Sequence, residues 1–268
     1  MEPLKYGYHL PPDLSAHGPA IDHLIKFLHI FMIALFVSWG IFLVYCLIKY
    51  RQRPGHKASY ESNKSKLPKY AEIAVVGVEV FMLVGLSFPI WSRYKKDFPP
   101  EKDSLVVRVI AQQFAWNIHY PGEDGKFGRA DVKLISDSNP LGIDASDPAS
   151  WDDVVSVNQF HLPVNKPVIA HITSKDVIHS FGVPVLRVKQ DAIPGMSVPI
   201  WFQAVKTGEM EIVCSQLCGV SHSQMKGFLT AESAEAYDKW FAGRSRPFKP
   251  KEPKAAFHAV LQQKRGDS

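Results

Sequence analysis

Cysteine is scarce: Cys46, Cys214 and Cys218 are the only three in 268 residues. Three cysteines exclude a disulfide-stapled scaffold. The chain has no GxGxxG fingerprint, no glycine-rich phosphate loop, no CxxCH haem-attachment motif and no internal repeat. Nucleotide-dependent chemistry, covalent haem and solenoid architectures are thereby set aside. A basic folded middle is missing too. The net charge is +5, but residues 104–230 hold 10 Lys/Arg against 12 Asp/Glu. The positive balance sits in residues 1–103 and 231–268, so a nucleic-acid surface, which needs a basic patch on the domain itself, is excluded.

Charged side chains are missing from one long stretch. From Phe27 to Ile48 run 22 residues without Asp, Glu, Lys or Arg. As a helix that run crosses roughly 30 Å, the thickness of the hydrocarbon core. A second run, Ile73 to Trp91, is broken only by Glu79. The first run is too long for a signal-peptide core and no small-residue cleavage site follows it. Two transmembrane helices are expected within residues 24–91. The segment between them carries Lys49, Arg51, Arg53, Lys57, Lys64, Lys66 and Lys69 against the single acid Glu61. By the positive-inside rule this loop, residues 49–70, is cytoplasmic. Residues 1–23 and everything after Trp91 then lie outside. Glu72 and Glu79 fall on one helix face about two turns apart. A carboxylate inside a span is expensive and faces protein, so Glu79 reads as a contact with a partner subunit.

After Pro99-Pro100 the apolar pattern changes to period two. Leu105–Ile110, Phe114–Tyr120, Val154–Leu162, Pro167–Thr173, Ser197–Ala204 and Glu209–Val213 read as strands. Tyr120–Gly125 is turn chemistry. Many short strands argue an antiparallel sandwich or barrel over residues 92–232. Ser233–Trp240 reads as a short surface helix, and the rest of residues 233–268 as an extended Pro- and Lys-rich tail draped on a partner.

The chemistry-bearing string is Cys214-Ser-Gln-Leu-Cys218-Gly-Val-Ser-His222-Ser-Gln-Met225, with His179 upstream. Thiolate, imidazole and thioether are soft donors that select copper over magnesium or calcium. A blue-copper site needs one Cys, two His and a weak Met. The extra thiolate suggests two metal ions sharing both sulfurs. Each ion would take one His, with Met225 and a loop carbonyl as weak ligands. Two alternatives use some of the same residues: a local Cys214–Cys218 disulfide in an oxidising compartment, and a Cys₂His₂ zinc site. Neither accounts for Met225.

On these motifs the chain resembles subunit II of the haem–copper cytochrome c oxidases. The resemblance takes in the two spans, Gln113–Pro121, Asp176–Pro184, Lys189–Gly195 and the Cys214–Met225 loop. It implies a membrane-anchored all-β protein: a two-helix hairpin followed by a cupredoxin-like Greek-key β-sandwich. It implies a dinuclear copper A centre held by the side chains of His179, Cys214, Cys218, His222 and Met225 and by the backbone carbonyl of Gln216. It implies electrons accepted from cytochrome c through an aromatic residue, and passed to haem in a catalytic subunit I that reduces oxygen and moves protons. Quinol-oxidising relatives lack these copper ligands. Glu72, near the inner surface, falls where family members carry a proton-uptake carboxylate. The implied location is a bacterial inner membrane with the copper domain in the periplasm, rather than a mitochondrial inner membrane.

Three positions depart from the family pattern. Gln216 stands where many members have a Glu that also reaches an interface magnesium, which leaves magnesium open. Phe114 stands where the electron-accepting aromatic is usually Trp, with Trp116 two residues on. Met196 replaces a frequent Arg. A membrane-tethered copper chaperone or storage module without an oxidase is the alternative function. Asp137, Asp144, Asp147, Asp152 and Asp153 form an acidic stretch. It reads either as a solvated loop or as a landing area for a basic cytochrome c.

Overall fold

In the computed structural model, residues 10–57, 60–61 and 64–249 are described. They fall into two units, 15–98 and a second made of the chain's beginning together with everything from Pro99 onward. The tail expected beyond residue 249 lies outside the described residues.

The first unit is helical. Helix α1 spans Gly18–Lys49 and helix α2 spans Leu67–Val80. A π-helical stretch Phe81–Ser87 carries α2 into α3, Phe88–Lys96, giving a 30-residue span Leu67–Lys96. Pro19 and Pro68, in the first turns of α1 and α2, suit the start of a helix, where the missing N–H has no partner to lose; Pro89 lies inside the continuous second span, just after the π-helical stretch. Apolar side chains point outward all round both spans; Phe36 is 80% exposed. A core helix of a soluble protein would bury them. Helices apolar on every side are satisfied by lipid or by partner helices. The helices run beyond the charge-free runs because Lys and Arg at their ends continue the same backbone pattern.

The second unit is a β-sandwich of two five-stranded sheets. The first sheet runs in the order β3 (Val154–Val157), β2 (Ala115–Tyr120), β1 (Leu105–Gln112), β5 (Val168–Ser174), β8 (Val198–Phe202). The second runs β4 (Gln159–Pro163), β10 (Lys226–Glu232), β9 (Gly208–Cys214), β6 (His179–Val183), β7 (Val188–Ala192). Two pairs, β1 with β5 and β10 with β4, are parallel. Alternation is clean in β9, where Gly208, Met210 and Ile212 are buried and Glu209 and Glu211 exposed, as one solvated face requires. The core is aromatic: Trp116, Tyr120, Phe160, Phe181 and Phe202 are fully buried between the sheets. The Tyr120 hydroxyl donates to His161 O and accepts from His161 N, which ties β2 to β4 with no polar atom stranded.

The expected single strand Val154–Leu162 is two. Asn158 breaks it at φ 57°, a left-handed conformation that Asn tolerates better than most residues. Its backbone N–H donates to Trp116 O, its side chain accepts from Trp116 N, and its carbonyl accepts from Phe228 N. One residue thus passes the chain from the first sheet to the second. Strands β6, β7 and β10 are absent from the periodicity reading. β6 is buried at every position, so it shows no alternation.

The segment before α1 belongs to the sandwich. Leu14 N–H donates to Val185 O, Leu14 O accepts from Val205 N, and Arg187 donates to Pro11 O. Helix α4, Ala234–Ala242, starts at Ser233, whose hydroxyl accepts from Ala236 N. This is an N-cap.

Candidate metal centre

The expected donors converge at one end of the second sheet. β6 pairs with β9 at Phe181↔Cys214, so His179, at the start of β6, is level with the first turn of the loop that leaves β9. That loop returns as β10. The hairpin brings Met225, at the foot of β10, back beneath Cys218.

Cys214 Sγ is 3.8 Å from Cys218 Sγ, far too long for a disulfide, whose S–S bond is about 2.05 Å. His179 Nδ1 is 3.9 Å from Cys214 Sγ, and His222 Nδ1 is 3.5 Å from Cys218 Sγ. Met225 Sδ is 3.8 Å from Cys218 Sγ, and Gln216 O is 3.2 Å from Cys214 Sγ. Each sulfur therefore has its own imidazole and its own weak donor. Among the described residues, the ligand atoms of His179, Cys214 and Cys218 lie within 4.8 Å of one another, and His222 is outside that group. One tetrahedral zinc at about 2.0–2.3 Å from four ligands would gather all four.

The surroundings are built for a cation. His179 is fully buried, and its Nε2 donates to Asp176 Oδ1 at 2.8 Å. Nδ1 is left as a lone pair aimed at the sulfurs, the orientation that a hydrogen bond on the far ring nitrogen fixes in metal sites. Burial raises the Asp176 pKa, but the N–H groups of Gln113 and Val177 and the His179 ring outweigh it and hold the carboxyl below its ordinary value. Burial, with Cys214 alongside, pushes the Cys218 thiol up to about 11. A thiol this reluctant to ionise needs a metal ion's charge to become a thiolate. The donor set and its spacing fit copper.

Gln113 also clamps the loop: its side-chain amide donates to Cys218 O at 2.6 Å. Gly219, at φ 139°, lets the loop pass close. A Cβ there would stand 2.9 Å from Gln113 Nε2 and 3.0 Å from the Phe114 ring. Asp176 and Gln113 were not among the expected site residues, and their only sequence signal is membership of the family-like segments. Phe114 is half-buried against this loop, while Trp116 is 0% exposed and stands edge-on to His179 and Phe181. Both aromatics reach the centre, one from the surface and one from the core. Leu217 and Val220, the latter 99% exposed, leave an apolar rim on the loop. The Gln216 side chain is exposed. Glu72 and Glu79 are exposed on α2, on the other unit, and are not part of the centre.

The acidic stretch is largely consumed by its own fold. Asp153 is 0% exposed and accepts from His119 Nε2 and Gly128 N, so it cannot face a partner. Asp144 pairs with Arg129 at 2.6 Å, and the Ser146 hydroxyl and Arg129 pull its pKa down to about 2. Asp147 caps the turn Pro148–Ser150, and Asp152 accepts from Asp124 N. Asp137 alone of the five is fully exposed. Of the five acids, burial removes Asp153 from any landing area; Asp137 is exposed and Asp144, Asp147 and Asp152 are partly exposed.

Residues 105–231 match the family described as cytochrome c oxidase subunit II, periplasmic domain. The alternative cytochrome c oxidase subunit 2 of Bradyrhizobium diazoefficiens is 34% identical over 219 residues, covering 79% of this chain and 77% of that protein. The cytochrome c oxidase subunit 2 of Cereibacter sphaeroides is 29% identical, covering 89% of this chain and 80% of that one. Among solved structures, the periplasmic domain of subunit II of cytochrome oxidase (CoxB) of Bradyrhizobium japonicum aligns at 30% identity and a TM-score of 0.41, covering 56% of this chain and 98% of the other. The relatives are oxidase subunits, which goes against a tethered copper module acting alone. With two membrane-capable helices, a cupredoxin-like sandwich and a His/Cys/Cys cluster in place, the chain belongs to the cytochrome c oxidase subunit II family.

Proposed function

We infer that this subunit holds a dinuclear copper A centre on His179, Cys214, Cys218, His222, Met225 and the Gln216 carbonyl. Through it the chain accepts single electrons from cytochrome c and passes them to haem in the catalytic subunit. The observation that carries this reading is the pairing of donors: each cysteine sulfur has a different histidine nitrogen within 4 Å. Bound copper supplies a one-electron couple whose charge is spread over both sulfurs. The protein's part is to hold the donors so that little moves. Asp176 fixes the His179 ring, Gln113 fixes the Cys218 carbonyl, and the sandwich excludes water from Met225, which is 1% exposed. Phe114, against the loop, is the proposed point of electron acceptance, with Trp116 behind it.

The test is rapid mixing of reduced cytochrome c with the oxidase purified through this chain. Copper should be reduced before haem, at two copper ions per outer domain. Haem reduction at the full rate in a copper-free preparation would overturn the reading.

The Gln216 contact is through the backbone, so Gln216→Ala should keep the copper spectrum. Copper loss as severe as in His222→Ala would assign the side chain a role. The exposed Gln216 amide carries no charge for magnesium, and magnesium stays outside the reading.

The two termini of the helical unit lead into one sandwich, since residues 11–14 bond to it directly. An even number of membrane crossings between them follows. With the basic loop cytoplasmic, the sandwich lies in the periplasm of a bacterial inner membrane. Glu72 then sits near the inner surface, where a carboxylate in water can relay protons at little desolvation cost. Glu72→Gln should slow oxygen turnover and leave copper reduction by the donor unchanged. Normal turnover in Glu72→Gln with slowed turnover in Glu79→Gln would reverse the two roles.

A further inference from the structure

The outward face of the first sheet is covered, and the cover leaves a cavity. Arg108 is opposite His119 across β1–β2 and opposite His171 across β1–β5. Their sequence neighbours Val107, Val109, Ile118 and Ile172 face the core and are fully buried. Alternation therefore turns three residues, one Arg and two His, outward and abreast on adjacent strands. The excursion between β2 and β3 folds over them. Between sheet and excursion is a cavity of about 340 Å³, within the size range of small-molecule sites. Arg108, His171 and Lys175 line it from the sheet side, and Ile135, Leu141 and Ile143 from the excursion; no Asp or Glu lines it.

Among the described residues, Arg108 and Lys175 make no ion pair. Arg108 lies on the Phe127 ring, 4.1 Å from its centre. Stacking occupies a face of the guanidinium and leaves its N–H edges free. Among the described residues neither Arg108 nor His171 hydrogen-bonds to a protein group. Lys175 Nζ donates to two neutral acceptors, Gln112 Oε1 and Pro140 O, so its charge is uncompensated. Of the nearby acids, Asp153, hydrogen-bonded by His119 and Gly128, acts on Arg108 without pairing with it, and Glu101 acts on His171. Burial draws Arg108 below its ordinary pKa, and burial with the Arg108 charge draws His171 down as well. A partly enclosed cation such as Arg108 is stabilised by a bound anion, and His171 beside it, held toward its neutral form, keeps one ring N–H to donate.

We propose that this cavity binds a small organic carboxylate. Its carboxylate would lie on the free edge of Arg108 beside His171, and its apolar body against Ile135, Leu141 and Ile143. A phosphate would need donors on every side, and the excursion wall offers only hydrocarbon.

The test is calorimetric titration of the full chain in detergent with benzoate, benzyl alcohol and inorganic phosphate. Benzoate should bind at one site, roughly tenfold or more tighter than the neutral alcohol, as a charge-assisted contact predicts. Phosphate should be weaker than benzoate. Arg108→Gln should weaken benzoate by about tenfold or more, with near-ultraviolet circular dichroism confirming the fold. Benzoate binding no tighter than benzyl alcohol, phosphate binding as tight as benzoate, or undiminished benzoate affinity in a folded Arg108→Gln would each overturn the proposal. Should Arg108→Gln unfold, His171→Leu serves instead: several-fold weaker benzoate binding supports the site, and unchanged binding overturns it.

Discussion

Cys214→Ser or Cys218→Ser should each abolish the electron paramagnetic resonance signature of one unpaired electron shared by two copper nuclei. The loss should be complete rather than graded. The two sulfurs are 3.8 Å apart, each beside its own histidine, so in the proposed centre both would be needed for two copper ions to share one electron. A serine oxygen is a hard, poorly matched ligand for copper and cannot take over the bridge. The effect is local, because Cys218 is one small side chain at the edge of a core whose aromatics it does not support. The variants should therefore fold and still dock on the catalytic subunit while losing electron transfer from cytochrome c. His222→Ala, which removes one imidazole donor, should lose copper. A shared-electron signal retained in both serine variants would end the dinuclear assignment.

Asp153→Ala should cost roughly 2–4 kcal/mol of stability, since each buried donor left unsatisfied costs about 1–3 kcal/mol. Asp153 is 0% exposed; its carboxylate takes hydrogen bonds from His119 at 2.8 Å and Gly128 N at 2.9 Å. Truncation strands both donors beneath the excursion that carries residues 127–150. Asp137, exposed on the same excursion, should change stability by under about 0.5 kcal/mol when replaced by Ala. Thermal melts of the copper-loaded chain separate the two: a fall on the order of 10 °C for Asp153→Ala, and little for Asp137→Ala. Comparable melts would mean that the His119–Asp153 pair contributes nothing. A salt-dependent fall in the rate of reduction by cytochrome c in Asp153→Ala at unchanged stability would return this residue to a docking role.

The sandwich is legible in the sequence wherever strands have one wet face. β1 and β9 alternate in burial; β2 alternates in residue type, although Asn117 and His119 on its outward side are buried too. β6, which starts at His179, is buried at all five positions; periodicity has nothing to register there. The passage from one sheet to the other at Asn158 was equally invisible, because a single left-handed residue interrupts a run that otherwise reads as one strand. The acidic stretch misled for a related reason. Composition counts Asp153 and Asp137 alike, and only the fold buries one and exposes the other.

By itself the sequence determined the two spans, their basic loop and the soft donor string of the Cys214–Met225 segment. Each is a local property: hydrocarbon thickness is counted along one helix, and a metal's preference for sulfur and imidazole is written in residue types. Tertiary structure decided how those donors pair. Only the register of β6 on β9 puts His179 beside Cys214 rather than beside Cys218, and only the return of β10 seats Met225 under Cys218. Tertiary structure also decided that Asp176 and Gln113 serve the centre, and that Arg108, His171 and Lys175 share a cavity. The Gln113 bonds to Asp176 and to Cys218 join residues 63 and 105 positions apart in the chain, separations across which pattern along the sequence carries no distance, whereas a paired strand fixes one to within an ångström or so.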